Sequence, residues 1–318
     1  MNVLTFGQGA WPHKQKACIT VGTFDGVHRG HQGVISYMRR MADAEGLRVV
    51  VVTFDPHPQI VLARPDREPL ALLTSIEERC ERLSNVGVDD VVVIPFTTEF
   101  AQTPADEFVR ELVSYIDVQH FFIGHDHAFG KNRGGNEELL RHLGAELGFY
   151  VERIPPLETE GIVVSSTLVR KTLKSGDIEL AASMLGSPYI VRGTVVKGDG
   201  RGSTLGIPTA NVVPAEPHKL IPANGVYVVT VRHGDAEYLA MANIGVRPTF
   251  TSDTVPILEV HILQFDNDIY NTTLDVKFHK RLRGEQKFGS REEFLAQLEQ
   301  DKQQTIIYQH LIQEWRNS

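Results

Sequence analysis

The feature that most constrains this fold is a change of hydrophobic period near residue 186. Before it, short apolar runs alternate with stripes at helical spacing. Ala17 to Val21, Arg48 to Phe54, Val91 to Phe96, His120 to Ile123 and Phe149 to Ile154 read as strands. The second of these carries four consecutive valines, as a strand buried on both faces requires. Helical stripes fall between them at Val34, Ile35, Met38, Met41 and Ala42, at Ile76, Cys80 and Leu83, at Phe108, Leu112, Val113 and Ile116, and at Leu139, Leu140, Leu143 and Leu147. Thr74 with Glu77 reads as a capping box, and Thr103-Pro104 as a helix start. The alternation predicts an α/β, doubly wound parallel sheet of Rossmann-like type. After the change, Tyr189 to Val196, Val226 to Arg232, Tyr238 to Asn243, Ile257 to Leu263 and Thr273 to Phe278 are short extended segments between turn residues. They predict a small antiparallel β-barrel. Ser290 and Glu293 then open a C-terminal helical stretch. The expected domains are 1–185 and 186–318.

A chain of 318 residues can support two such cores. Its net charge of −8 argues against a nucleic-acid binder, which carries a basic excess. Two cysteines, Cys18 and Cys80, lie in apolar periodic segments and read as reduced core residues, not a disulfide framework. Met1 to Pro12 lacks the basic flank and apolar stretch of a signal peptide, and no window reaches the ~18 apolar residues of a membrane span. The expected setting is the cytoplasm, with small-molecule partners and neither nucleic acid nor membrane.

The densest chemical segment of the first half is Gly22-Thr23-Phe24-Asp25-Gly26-Val27-His28-Arg29-Gly30-His31. A buried strand ends, a glycine-bearing turn follows, and a helix begins at about His28. A helix N-terminus favours an anion. His28 and His31, three apart, share one face of its first turn and can donate to a polyphosphate. Gly30 leaves room for a ligand to approach the backbone. The alternatives are two exposed histidines or half of a metal site. Three more stretches follow strands, at the edge where open α/β sheets bind ligands. They are Asp55-Pro56-His57-Pro58, the glycine-rich run from Gly124 through Asp126, His127, Phe129, Gly130 and Arg133 to Gly135, and Ser165-Ser166-Thr167 with Arg170. Taken singly, these read as a stiff turn, a surface loop and a helix cap. A cap with an arginine one turn on also makes a phosphate clamp.

In the second half, Gly193 to Asn211 carries Lys197, Gly198, Gly202 and Gly206 before Pro208-Thr209-Ala210-Asn211. Such a loop either makes a plain hairpin or wraps a nucleotide phosphate. Thr209 and Asn211, two apart, share a face if extended, and a hydroxyl with an amide oxygen suits Mg2+. The alternation Leu258, Val260, Ile262 turns Glu259 and His261 away from the core.

The first-half motifs resemble the nucleotidylyltransferase superfamily. Together with Gly-Ile-Pro-Thr-Ala-Asn at 206–211, they resemble the bacterial bifunctional riboflavin kinase/FAD synthetase family over nearly the whole chain. The resemblance implies phosphorylation of riboflavin to FMN, adenylylation of FMN to FAD, and Mg2+ with ATP as co-substrate. It implies ATP or flavin contacts at Gly22, Thr23, Phe24, Asp25, Gly30, Asp55, His57, Gly124, Asp126, Phe129, Gly130, Arg133, Ser165, Ser166, Thr167 and Arg170, with His28 and His31 stabilising charge. In the second half it implies nucleotide contacts at Gly193, Lys197, Gly198, Gly202, Gly206, Pro208 and Asn243, Mg-nucleotide at Thr209 and Asn211, and Glu259 as the base. Arg283 to Phe288 matches as a loop near that site. The family more often carries phenylalanine at His127 and Ile207, and arginine at Ser203. Asp25 and Asp126 are the candidate metal ligands of the first site. Adenylyl transfer alone, with the barrel as a binding module, and a non-catalytic flavin regulator are the competing readings.

Overall fold

A computed structural model describes residues 1–66, 68–124, 130, 134–155, 158–159, 162–198, 208–246 and 256–317. The chain divides into two compact units, 1–166 and 167–318.

The first unit is built on a six-stranded parallel sheet. Its strands are β1 (Asn2–Thr5), β2 (Ala17–Val21), β3 (Arg48–Asp55), β4 (Asp90–Pro95), β5 (Val118–Ile123) and β6 (Tyr150–Arg153), in the order β1-β4-β3-β2-β5-β6. The valine run explains itself here. Val50 and Val52 join one apolar cluster with Phe108, Val109 and Leu112 of α4 (Ala105–Tyr115) and Leu140 and Leu143 of α5 (Glu137–Leu147). Val49 and Val51 join another, with Ile35, Met38 and Ala42 of α1 (Arg29–Glu45) and Cys80 and Leu83 of α3 (Ile76–Asn85). Successive side chains of one strand thus fill opposite layers. Cys18 and Cys80 are free and buried, as expected, and burial pushes their thiols up to about 12 and about 11.

Two local expectations shift. The capping box over α3 is Ser75 with Glu78, one residue beyond Thr74 and Glu77. The sequence offers both pairs, and tertiary contacts choose between them. The Thr74 hydroxyl instead donates to Asp25 Oδ1 at 3.0 Å and accepts from the Gly26 amide at 3.0 Å. Strand β1, too short to show a period, goes unnoticed in the sequence; it pairs with β4 at the sheet edge.

The second unit is a closed six-stranded barrel. Its strands are β9 (Tyr189–Val196), β10 (Ala210–Pro214), β11 (Gly225–His233), β12 (Ala236–Val246), β13 (Pro256–Ile262) and β14 (Thr273–Arg283); β7 (Glu158–Thr159) and β8 (Ile162–Val163) form a small hairpin in the first unit. Antiparallel pairing runs β10-β13-β12-β11-β14-β9 and closes from β9 to β10. Leu258, Val260 and Ile262 are buried, as their alternation requires. From Thr167 onward, α6 (Ser166–Ser175) and α7 (Ile178–Leu185) group with the barrel, because α7 packs on β14 and the Ala223 amide donates to the Leu173 carbonyl. A helical stripe shows which face is buried, not which neighbour buries it. The final helix is α8 (Arg291–Asn317). Ser290 accepts from the Glu293 amide as predicted, while Glu293 reaches back to Gly289 rather than to Ser290.

Candidate functional site

In the first unit, β2 lies between β3 and β5, so the chain runs outward from it in both directions. Such a switch point opens a crevice beyond the strand ends. The segments leaving β2, β3 and β5 there are the ones the sequence singled out: Gly22 to His31, Asp55 to Pro58, and the run beginning at Gly124.

The turn after β2 is over-determined. Phe24 and Val27 take positive φ of 48° and 42°, a costly region for a β-branched residue, and both are buried. What holds them is Asp25. Its carboxylate is fully buried and accepts the amides of Leu73 (3.0 Å) and Thr74 (2.9 Å) and the Thr74 hydroxyl. Asp25 therefore builds the turn. Its enclosed carboxylate is engaged with the protein's own backbone and Thr74.

Helix α1 starts at Arg29 with His28 as N-cap, and the His28 side chain does not cap it. Among helices of eight residues or more, α3, α4, α5, α7 and α8 each carry an acid in the first turn. Among the described residues, only α1 and α6 carry none. An acid there would satisfy the helix dipole, so its absence leaves that end suited to an external anion. The start of α6 is tied to the same turn: the Ser166 hydroxyl donates to the Asp25 carbonyl at 2.9 Å. Ser165 and Thr167 beside it are exposed, and Arg170 is half-buried one turn along.

The rings of His28 and His31 stack with centroids 3.7 Å apart and planes 18° from parallel. Phe24 packs against His31 at 4.9 Å. Burial, then His28, then the Arg79 charge, hold His31 well below the ordinary histidine range. The neutral form of the His31 ring is thus favoured over the imidazolium. Gly30 serves the protein before it serves a ligand. A Cβ there would lie 3.2 Å from the His28 ring and 3.3 Å from the Val164 carbonyl.

The other predicted residues divide. A Cβ on Gly22 would come within 3.0 Å of the Phe24 ring, and the Thr23 carbonyl accepts from Thr53 Oγ1 at 3.0 Å. Asp55 ends β3, and its carbonyl accepts from Phe96. His57 is buried, and its Nδ1 accepts the Gln59 amide at 3.1 Å, so it caps the short helix α2 (Pro58–Val61). Gly124 faces open space, whereas a Cβ on Gly130 would strike Ala105. Asp126, His127, Phe129 and Arg133 lie outside the described residues. Arg79 went unnoticed in the sequence. It is 1% exposed, and its Nη1 donates to Thr53 Oγ1 and to the Phe54 carbonyl.

In the barrel, pairing register does what sequence spacing could not. Asn211 on β10 stands opposite Glu259 on β13, and Glu259 stands opposite Asn243 on β12. Three predicted residues thus form one row across three strands. Glu259 is half-buried and Asn243 exposed. His261 Nδ1 donates to the Pro208 carbonyl at 2.8 Å, anchoring the residue before Thr209. Thr209 lines an open groove of about 350 Å³ with Phe265, Asp266, Asp268 and Tyr270. Lys197 Nζ lies 5.8 Å from the Tyr270 ring. Glu285, from the predicted loop near the site, accepts from Asn224 and would lie 2.7 Å from a Cβ on Gly245. Gly193 belongs to the strand pair instead: a Cβ there would sit 2.4 Å from the Val213 carbonyl oxygen. A Cβ on Gly198 would meet the Asn211 amide. Gly202, Ser203, Gly206, Ile207 and residues 247–255 lie outside the described residues. No cluster of three His, Cys, Asp or Glu suited to a metal occurs among the described residues. Thr209 and Asn211 instead offer neutral oxygens with the Glu259 carboxylate opposite, a hard donor set compatible with Mg2+ that keeps its waters.

The FAD synthetase family matches residues 11–168, and the riboflavin kinase family matches residues 185–308. Proteins named bifunctional riboflavin kinase/FMN adenylyltransferase are similar along most of their length. The one from Listeria monocytogenes is 38% identical over 91% of both chains, and that from Bacillus subtilis 35% over 92% of both. That from Escherichia coli is 38% identical over 91% of both. A Streptococcus pneumoniae structure described as a macrolide-efflux protein superposes with a TM-score of 0.85 at 32% identity, covering 95% of this chain and 98% of that one. Among the described residues, no helix is long and apolar enough to cross a membrane.

Proposed function

The chain belongs to the bifunctional riboflavin kinase/FMN adenylyltransferase family, and on that premise we propose a role for each side chain in its two reactions. The enzyme transfers the γ-phosphoryl group of ATP to riboflavin, giving FMN and ADP, and then joins FMN to the AMP moiety of ATP, giving FAD and pyrophosphate. The kinase step belongs to 186–318 and the adenylyl step to 1–185.

In the kinase step, Glu259 accepts the proton of the riboflavin ribityl hydroxyl as that oxygen attacks the γ-phosphorus. Position and charge dominate such a transfer, and a fixed carboxylate supplies both. Asn211 and Asn243 flank it, one on each neighbouring strand, and hold the reacting groups in register. Thr209 and Asn211 would hold Mg2+ with the ATP phosphates, and the groove beside Thr209 receives the rest of the nucleotide. When bound, Mg2+ neutralises phosphate charge.

In the adenylyl step, an FMN phosphate oxygen attacks the α-phosphorus of ATP and pyrophosphate leaves. Both participants are already charged, so no protein nucleophile is needed. The α1 N-terminus and the two imidazoles bind the phosphates and stabilise charge that builds on them. Ser165 and Ser166, in the same unit as that turn, add hydroxyls to the phosphate grip. The cytoplasm, where ATP and riboflavin coexist, is the proposed setting.

The observation that carries the reading is the row Asn211–Glu259–Asn243, assembled by register from three distant segments. The test is product analysis. Purified protein with riboflavin and ATP should yield FMN first and FAD later with Mg2+, and neither with the metal chelated. FAD appearing from supplied FMN without any conversion of riboflavin would overturn the kinase assignment.

A further inference from the structure

The crevice loops of the first unit are joined from behind by a charged side chain no motif marks. Arg79 stands on α3 with almost no exposure. Arginine is rarely buried so completely, because desolvating its charge is costly. Its Nη1 reaches Thr53 Oγ1 at 3.1 Å and the Phe54 carbonyl at 3.0 Å, both at the carboxyl end of β3. The same Thr53 hydroxyl, itself fully buried, donates to the carbonyl of Thr23 at 3.0 Å. Thr23 opens the turn that presents the two imidazoles. A continuous relay thus runs from the α3 guanidinium through the β3 hydroxyl to the β2 turn. The Asp25–Thr74 contacts attach that same turn to the N-terminal end of α3. Two attachments, one through Arg79 of α3 and one through Thr74 just before it, hold the first residues of the turn.

We propose that Arg79 is a positioning residue for adenylyl transfer, setting through Thr53 the placement of the Thr23–His31 turn on which the reacting phosphates rest. The inference depends on the reading of that turn as the adenylyl site. Arg79 touches neither substrate nor reacting atoms in this account. It also sets the charge environment of His31. The groups acting on that imidazole are His28, stacked on it from the helix start, and Arg79, from α3; both disfavour its protonation. Arg79 thus adds to burial and to His28 in disfavouring the charged form of His31. Without it, His31 binds a proton at higher pH.

The test uses the full-length protein, with riboflavin phosphorylation as the internal control. Arg79→Met and Thr53→Val should each lower the kcat for FAD formation from supplied FMN on the order of 10- to 100-fold, the scale of a small misplacement of reacting groups. FMN formation from riboflavin should stay at the wild-type rate. Thr53→Ser, which keeps the hydroxyl, should retain most of the rate. The double variant should be no slower than the slower single variant, as expected of one shared relay. In Arg79→Met the acid limb of the FAD-forming pH profile should move to higher pH. If Arg79→Met does not fold, Thr53→Val against Thr53→Ser decides alone. Equal rates for Thr53→Val and wild type, equal losses for Thr53→Val and Thr53→Ser, or additive losses in the double variant overturn the proposal. A wild-type protein that makes no FAD from FMN overturns the site reading itself, so the two failures are distinguishable.

Discussion

On the proposed reading, the two units solve one problem, gripping a nucleotide, by opposite means. In the sheet unit the working groups sit on a turn beyond the strand ends. That turn takes strained backbone angles, so buried side chains must brace it: Asp25, Thr74, Thr53 and Arg79. In the barrel unit the central groups sit on the strands themselves. Asn211, Glu259 and Asn243 need no brace, because the hydrogen-bond ladder already fixes their spacing. A turn-borne site spends buried polar groups on its own geometry. A strand-borne site takes its geometry from the fold and depends on the fit between strands.

The sharpest way to separate the two is Glu259→Ala. It should lower FMN formation by about 10³-fold while FAD synthesis from supplied FMN continues, since a positioned base contributes ~10²–10⁴-fold. Parallel assays on one protein sample check this. His28→Ala should do the converse, lowering FAD formation by about 10²-fold, the scale of one lost donor to developing charge, with FMN formation unaffected. The third test strikes the barrel's fit rather than its chemistry. Gly193→Ala places a methyl group against the Val213 carbonyl oxygen, and overpacking of this kind costs about 1–3 kcal/mol. Urea unfolding should show a weakened barrel transition and an unchanged sheet transition.

The smallest effect is one the two units share. Asp90 is fully buried in the sheet unit beside Arg48, Asn2 and His13, and these partners outweigh burial to hold its carboxyl below the usual range. Asp275 in the barrel unit is held down likewise, by Arg192 and Arg232. A depressed folded-state value stabilises the native state above the unfolded value, about pH 4, and is lost as pH falls through the folded one. Both units should lose stability in that acid window. Asp90→Asn should flatten the dependence in the sheet unit alone, as read by thermal unfolding from pH 5 to about pH 2.

Legibility followed locality. The sheet strands other than β1 and the barrel strands other than β10 were readable because their periods lie within a few residues. The His28/His31 pair was readable because a helix places residues three apart on one face. The row across the barrel was not, since register links residues that nothing in the sequence aligns. Ser75 outranked Thr74 as cap because Thr74 was engaged by Asp25, a contact between residues 49 apart. Arg79 was invisible for a related reason: an arginine in an amphipathic helix normally points to water.

The valines of β3 carry one last consequence. With alternate side chains committed to opposite apolar layers, the middle of the sheet offers no place to put a reactive group. Reactivity is exported to the rim, and the interior becomes indifferent to what the rim does. Loops there can be exchanged for new chemistry while the slab beneath goes on folding as before.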